Sequence, residues 1–208
     1  KGSMTTLFTD RVTTERLIGE LSDTVNIAVH NSEGLCVISG VEEDVERVVK
    51  RAEAEEIKTR RLNVSHGFHS ALMRPAAEQF IKIAGSVKFN PSNIIFMSSM
   101  YQRALREDEV LDTEYWANHI CNEVKFYETI SSIPQCEEYF FLEIGATNTL
   151  TSLCKYIFNG TCKCSNSLDV KSNDTVALNN AIAKLYVNHA NINWKNYIIG
   201  KDEDWERV

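Results

Sequence analysis

The feature that most constrains this chain is a change of hydrophobic period within its first 65 residues. Val25-Asn26-Ile27-Ala28-Val29 alternates at period two, as a half-buried strand must. Asn31-Ser32-Glu33-Gly34 supplies turn-forming residues, and Leu35-Cys36-Val37-Ile38-Ser39 resumes as a second strand, so the pair predicts a hairpin. From residue 42 to 55 the period lengthens. Val41, Val45, Val48, Val49 and Ala52 fall on one helical face, and the charges opposite them read as an ordinary solvated surface. Residues 3–9 and 57–64 read as flanking strands and 13–21 as a short helix. The order is βαββαβ, that of a ferredoxin-like unit.

From residue 66 the texture differs. Residues 71–83 predict a helix, 93–98 a buried strand, 101–112 a polar loop, and an aromatic-rich helix follows around Tyr115 and Trp116. Residues 139–144 predict a second buried strand, 149–156 a helix, 163–173 an exposed loop and 177–189 an amphipathic helix. Apolar strands alternating with helices suggest a parallel α/β layer, with too few strands for a doubly wound sheet of its own. The chain therefore divides on texture into residues 1–65 and 66–208, the second part ending in a trailing linker.

A formal net charge of −7 argues against a nucleic-acid partner, which calls for a basic face. No run of about 18 apolar residues predicts a membrane span, and no signal peptide is evident at Lys1-Gly2-Ser3-Met4, so a cytoplasmic protein is expected. The six cysteines are scattered, mostly inside apolar runs, where a free thiol behaves as a small hydrophobe. Cys162 and Cys164, with Cys154 upstream, lack a second Cys or His pair at zinc-site spacing, so no metal is expected.

The segment Arg61-Leu62-Asn63-Val64-Ser65-His66-Gly67-Phe68-His69-Ser70-Ala71-Leu72-Met73-Arg74-Pro75 carries the chemistry. It reads as a strand, a turn with two histidines three apart, and a helix start, a junction where α/β folds place reactive groups. A histidine there suits general-base work near neutral pH. On the residues alone, a metal pair and a simple helix cap remain as other readings.

This segment resembles the SHAFHS-ALM-x-P stretch of acyltransferase domains in modular polyketide synthases and fatty acid synthases. Further similarities run in the same order. Asn26 to Gly40 resembles the family's IAAVN-x-P-x-x-x-VVSG hairpin, and Glu114-Tyr115-Trp116-Ala117-Asn118-His119 with Val124-Lys125-Phe126 resembles YW-x-x-H-x-x-x-PV-x-F. Phe141-Leu142-Glu143-Ile144-Gly145 resembles FLE-(I/V)-GP, and Ile192-Asn193-Trp194 the closing (V/I)DW.

The resemblance implies an α/β fold: a ferredoxin-like small subdomain followed by the C-terminal part of an α/β-hydrolase-like acyltransferase core. It implies transfer of malonyl from coenzyme A to the phosphopantetheine thiol of an acyl carrier protein through a Ser–His acyl-enzyme. His69 takes the catalytic histidine's place, and His66, Gly67 and Phe68 fill the rest of the four-residue selectivity motif. Malonyl-selective members typically read His-Ala-Phe-His there, so Gly67 is a small departure. Asn31 matches an Asn at the active-site mouth, or alternatively shapes the hairpin turn. Backbone carbonyls of the turn 145–148 are expected behind the imidazole, although Gly145-Ala146 replaces the usual Gly-Pro. Arg60, Arg61 and Arg74 do not match the family's carboxylate-binding Arg and are expected on the surface, or at most as docking contacts. The expected partners are malonyl-CoA, the carrier protein and neighbouring synthase domains, with no metal or redox cofactor, no nucleic acid and no membrane. The Gly-His-Ser-x-Gly elbow has no counterpart here, so the serine is expected upstream and the chain alone is expected to be inactive. A non-catalytic module used for structure or carrier docking is the alternative, and a member taking another acyl group is a further one.

Overall fold

In the computed structural model, which describes residues 1–199, the N-terminal sheet forms as the period change requires. Its strands are β1 (Gly2–Leu7), β2 (Val25–Ser32), β3 (Leu35–Val41) and β4 (Thr59–Arg61), antiparallel in the order β2-β3-β1-β4. Two helices, α1 (Arg11–Ile18) and α2 (Glu42–Ala54), complete the ferredoxin-like order. Asp10 caps α1 by accepting from the Thr13 N–H at 2.8 Å, and Gly19, at φ +51°, ends it. Helix α2 carries Glu42, Glu43 and Asp44 in its first turn and Arg51 in its last, each on the favourable side of the helix dipole. Its Val45, Val48, Val49 and Ala52 stripe packs with Leu17 and Ile18 of α1 against Leu7, Val25, Ile27 and Ile38 on one sheet face. Met4, Ala28 and Val37, on strands of the same sheet, form a second, smaller cluster joined by Val29 and Leu62.

Beyond the sheet, a 3₁₀ turn (Ala71–Met73) leads into α3 (Arg74–Ala84), which packs against α4 (Thr113–Cys121). Between them lies a two-residue ladder of β5 (Met97–Ser98) with β6 (Arg103–Ala104). The apolar run 93–98 is therefore not the buried strand its composition predicts: Ile94 and Ile95 are 74% and 85% exposed, and only its last two residues pair. After α4, Val124 pairs with Val29 of β2 as an isolated parallel bridge, and α5 (Phe126–Ser131) packs on β2.

By internal packing, residues 1–134 form one unit and the chain from Gln135 a second. In the second, β7 (Phe140–Glu143) and β8 (Lys163–Asn166) pair in parallel across α6 (Thr149–Ile157), and α7 (Asp174–Val187) packs against β8. The parallel α/β layer is present as this βαβ unit. Residues 163–166, expected as part of a loop, are its second strand, because backbone pairing to β7 asks nothing of residue type. Glu143, in the FLE stretch, is buried and accepts from the Thr151 N–H at 2.9 Å and its hydroxyl at 3.0 Å, tying β7 to the first turn of α6. Helix α8 (Trp194–Ile199) closes the described chain, and the trailing linker lies outside the described residues. All six cysteines are free thiols. Among the described residues no helix is long and apolar enough to cross a membrane.

Candidate active site

The turn between β4 and α3 is shaped by close backbone approach. Gly67 is buried against the sheet, and a Cβ there would lie 3.2 Å from the Gly40 carbonyl, the Ser39 hydroxyl and Leu72. A Cβ on Gly2 would sit only 2.4 Å from the Gly67 nitrogen, so the two glycines let the turn press onto β1. Buried Ser70 then donates its hydroxyl to the Gly67 carbonyl at 2.6 Å and caps the following 3₁₀ turn. Held between these anchors, His69 adopts φ +56°, a left-handed conformation that costs a side-chain-bearing residue about 1–3 kcal/mol. Strain of this kind persists where the surroundings over-determine it, and here they aim one imidazole.

That imidazole is gripped from one side. Nδ1 of His69 lies 3.1 Å from the carbonyl oxygen of His119 and 3.1 Å from that of Asn122. A carbonyl only accepts, so Nδ1 carries the hydrogen and Nε2 keeps the lone pair. Among the described residues Nε2 has no hydrogen-bond partner. Both carbonyls belong to the end of α4. The free carbonyls at the C-terminus of a helix are suited to the task, having no partner within their own helix.

His119 also stands edge-on to His69, with ring centroids 5.8 Å apart. Burial pushes the His119 imidazole below its ordinary pKa, and the neighbouring His69 adds to the effect. Beside them opens a cavity of about 680 Å³, lined among others by His69, Arg74, Asn118, Cys121 and Asn122.

The other expected site residues are placed as follows. His66 is exposed, its Nδ1 2.7 Å from the Ser65 hydroxyl, and its ring lies 5.8 Å from Phe68. Phe68 is 38% exposed, an aromatic face presented beside His69 rather than spent on the core. Asn31 lies on β2 at an irregularity in the β2–β3 register and does not line the cavity with His69. Arg61 pairs with Glu42, whereas Arg74 lines the cavity. Sequence reasoning missed the role of α4: His119 was legible only as part of a motif, and the Asn122 carbonyl carries no side-chain signal at all.

Residues 1–186 match the acyl transferase domain family. The chain belongs to that family. It is 31% identical over 153 residues, 73% of its length, to the polyketide synthase GfsA of Streptomyces halstedii, of which it spans 2%. It is 29% identical over 187 residues, 89% of its length, to GfsB of the same organism, of which it spans 3%. Its fold matches the acyltransferase domain from the second module of the salinomycin polyketide synthase with a TM-score of 0.86 at 23% identity, over 99% of this chain and 49% of that one. It also matches the malonyl CoA-acyl carrier protein transacylase from Clostridium perfringens with a TM-score of 0.75 at 24% identity, over 97% of this chain and 60% of that one. The chain thus spans about half the length of these solved domains and a small fraction of the synthases.

Proposed function

We propose that this acyl transferase moves a malonyl group from coenzyme A to the phosphopantetheine thiol of an acyl carrier protein, with His69 as its general base and acid. The observation that carries the reading is the grip on His69: two carbonyls hold Nδ1–H, leaving Nε2 directed away from them as the proton acceptor. No serine of this sequence lies in the family's Gly-His-Ser-x-Gly elbow, and the reading takes the nucleophilic serine from upstream sequence.

In this mechanism Nε2 takes the serine proton as Oγ attacks the thioester carbonyl. The tetrahedral oxyanion collapses, the C–S bond breaks, and the imidazolium gives its proton to the leaving coenzyme A thiolate. The carrier's thiol then yields its proton to Nε2 and attacks the acyl-serine. Collapse of the second intermediate returns that proton to the serine. The exchange is redox-neutral, and its protons are balanced by one imidazole, so the reading invokes no resident cofactor. Phe68 would crowd a substituent on the α-carbon of the acyl group, a discrimination of about 1–3 kcal/mol per methyl in favour of malonyl. Such a protein would work in the cytoplasm beside the other domains of its synthase.

The test uses the full-length polypeptide with malonyl-CoA and methylmalonyl-CoA separately, followed by intact mass and transfer to a carrier protein. A malonyl adduct that forms and transfers, and slows by about 10²–10⁴ in His69→Ala, is expected. No adduct from either thioester on a folded protein would overturn the reading and leave a non-catalytic module. A methylmalonyl adduct of equal rate would overturn the malonyl selectivity alone.

A further inference from the structure

The Asn122 carbonyl that holds His69 belongs to the peptide unit joining Asn122 to Glu123, a plane that moves as one body. Whatever fixes Glu123 therefore fixes that acceptor. The Glu123 carboxylate receives both terminal nitrogens of Arg11, Nη1 to Oε1 at 2.6 Å and Nη2 to Oε2 at 3.0 Å. This fork-to-fork pair sets direction as well as distance, and Glu123's side chain is only 15% exposed. One residue further on, the backbone is stitched to β2: Val124 N–H donates to the Ala28 carbonyl at 2.8 Å, and His30 N–H donates to the Val124 carbonyl at 3.0 Å. A second side-chain anchor follows, with Nδ1 of His30 2.7 Å from Oε1 of Glu128, which Arg11 also approaches at 3.7 Å.

We propose that Arg11 and Glu123 are positioning residues for His69, their paired contact holding the Asn122 carbonyl where it accepts from Nδ1–H. His30 and Glu128 brace the same strip from its other end. The composition of this network argues for position rather than stability. Replacing buried ion pairs by apolar residues of similar volume is often neutral or stabilising. Moreover, the buried atoms His30 Nε2 and Glu128 Oε2 have no hydrogen-bond partner among the described residues, a cost that stability alone gives no reason to keep. What an ion pair supplies and an apolar contact does not is a fixed angle. The Arg11–Glu123 pair spans 112 residues of sequence and lies along the cavity that His69 lines.

The role of His69 rests on the acyltransfer reading, but the test does not. It reads the His69 tautomer in the full chain, by long-range proton–nitrogen correlation of the ring nitrogens at a pH where the neutral imidazole dominates, with His69→Gln identifying the signal. In the unaltered protein the Nδ1–H form is the main species. Glu123→Gln and Arg11→Met are expected to lose it as the main species, and Arg11→Lys, which keeps the charge but not the fork, to lose part of it. Arg16→Met, which breaks the pair that Arg16, on the same helix as Arg11, makes with Glu55 at the end of α2, is expected to leave it unchanged. An unchanged tautomer in folded Glu123→Gln or Arg11→Met overturns the proposal, as does an equal loss in Arg16→Met. If neither of those two variants folds, Arg11→Lys decides: a partial loss supports the proposal, and full retention overturns it. Because no acyl transfer is measured, the proposal and the acyltransferase reading can fail separately.

Discussion

The ferredoxin-like lobe and the helical stretch that follows it within the same unit are held by different kinds of contact. In the lobe, Leu7, Leu17, Ile38, Val45 and Val48 are all but inaccessible, and the sheet with α1 and α2 closes a core from consecutive elements. In residues 71–121 the buried positions are small or aromatic, Ala77, Ala84, Ser98, Tyr115 and Ala117, while Ile81, Ile83, Val87, Ile94 and Ile95 stand exposed. What ties the end of this stretch to the lobe is directional: two backbone hydrogen bonds at Val124 and the Arg11–Glu123 fork. Apolar burial is roughly proportional to area and indifferent to angle, whereas a hydrogen bond fails when its angle does. The lobe supplies the stability, and the polar stitching supplies the aim. His69 sits where the two meet.

If that division holds, its parts break differently. The largest effect is on chemistry: His69→Ala slows transfer by about 10²–10⁴, and the urea midpoint of the same variant stays near that of the parent, since Ala keeps the Cβ that makes φ +56° costly. A His69→Ala protein that loses its cooperative unfolding transition would place the residue among the structural ones and undo the contrast. Next comes the lobe's core. Leu7→Ala opens a cavity under α1 and α2 and is expected to cost about 2–5 kcal/mol by urea denaturation. A loss below 1 kcal/mol at this position, roughly that of an exposed site, would mean the lobe does not carry the stability.

How much of this was legible follows from the same distinction. The β2–β3 hairpin and α2 were readable because period two and the Val45–Val48–Val49–Ala52 stripe are imprinted on side chains by burial. Residues 93–98 misled for the converse reason: an apolar run reads the same whether it is covered or, like Ile94 and Ile95, exposed. Strand β8 was hidden because its polar residues pair with β7 through backbone groups that every residue has. His66, Gly67, Phe68 and His69 were visible through motif order, and the close approach at Gly67 gives that order a steric basis. The carbonyls of His119 and Asn122 were invisible because no side chain announces them, and Arg11 was invisible because its partner lies so far along the chain.

The second unit sharpens the comparison, since its buried groups include a carboxylate. Burial pushes the Glu143 carboxyl up, but the N–H groups of Thr151 and Leu150 and the hydroxyls of Thr151 and Thr147 together outweigh it, and the group settles below its ordinary 4.5. A carboxyl with a lowered folded value contributes stability that is complete above the unfolded value and is lost as pH falls through the folded one. Glu143→Gln, which keeps one acceptor oxygen and removes the charge, is expected to cost about 1–3 kcal/mol at neutral pH. It should also flatten the acid limb when urea midpoints are followed downward from pH 6. An acid limb as steep as the parent's would show that other carboxylates set it.

The smallest effect is expected where the contrast is drawn most sharply. Ile95, 85% exposed, and Ile83, 75% exposed, are as apolar as Ile38 yet bury almost nothing. Replacing either by Ser should move stability by no more than about 0.5 kcal/mol, since little transfer free energy is recovered from a side chain already in water. The same replacements should reduce self-association in sedimentation velocity, because Ile83 and Ile95, like Val87 and Ile94, leave apolar side chains exposed to water. A stability loss at Ile83→Ser comparable to that of Leu7→Ala would mean this face is covered in solution, and the two regions would then be held alike. A neutral Ile83→Ser beside a costly Leu7→Ala leaves the lobe as the part whose burial holds the unit together.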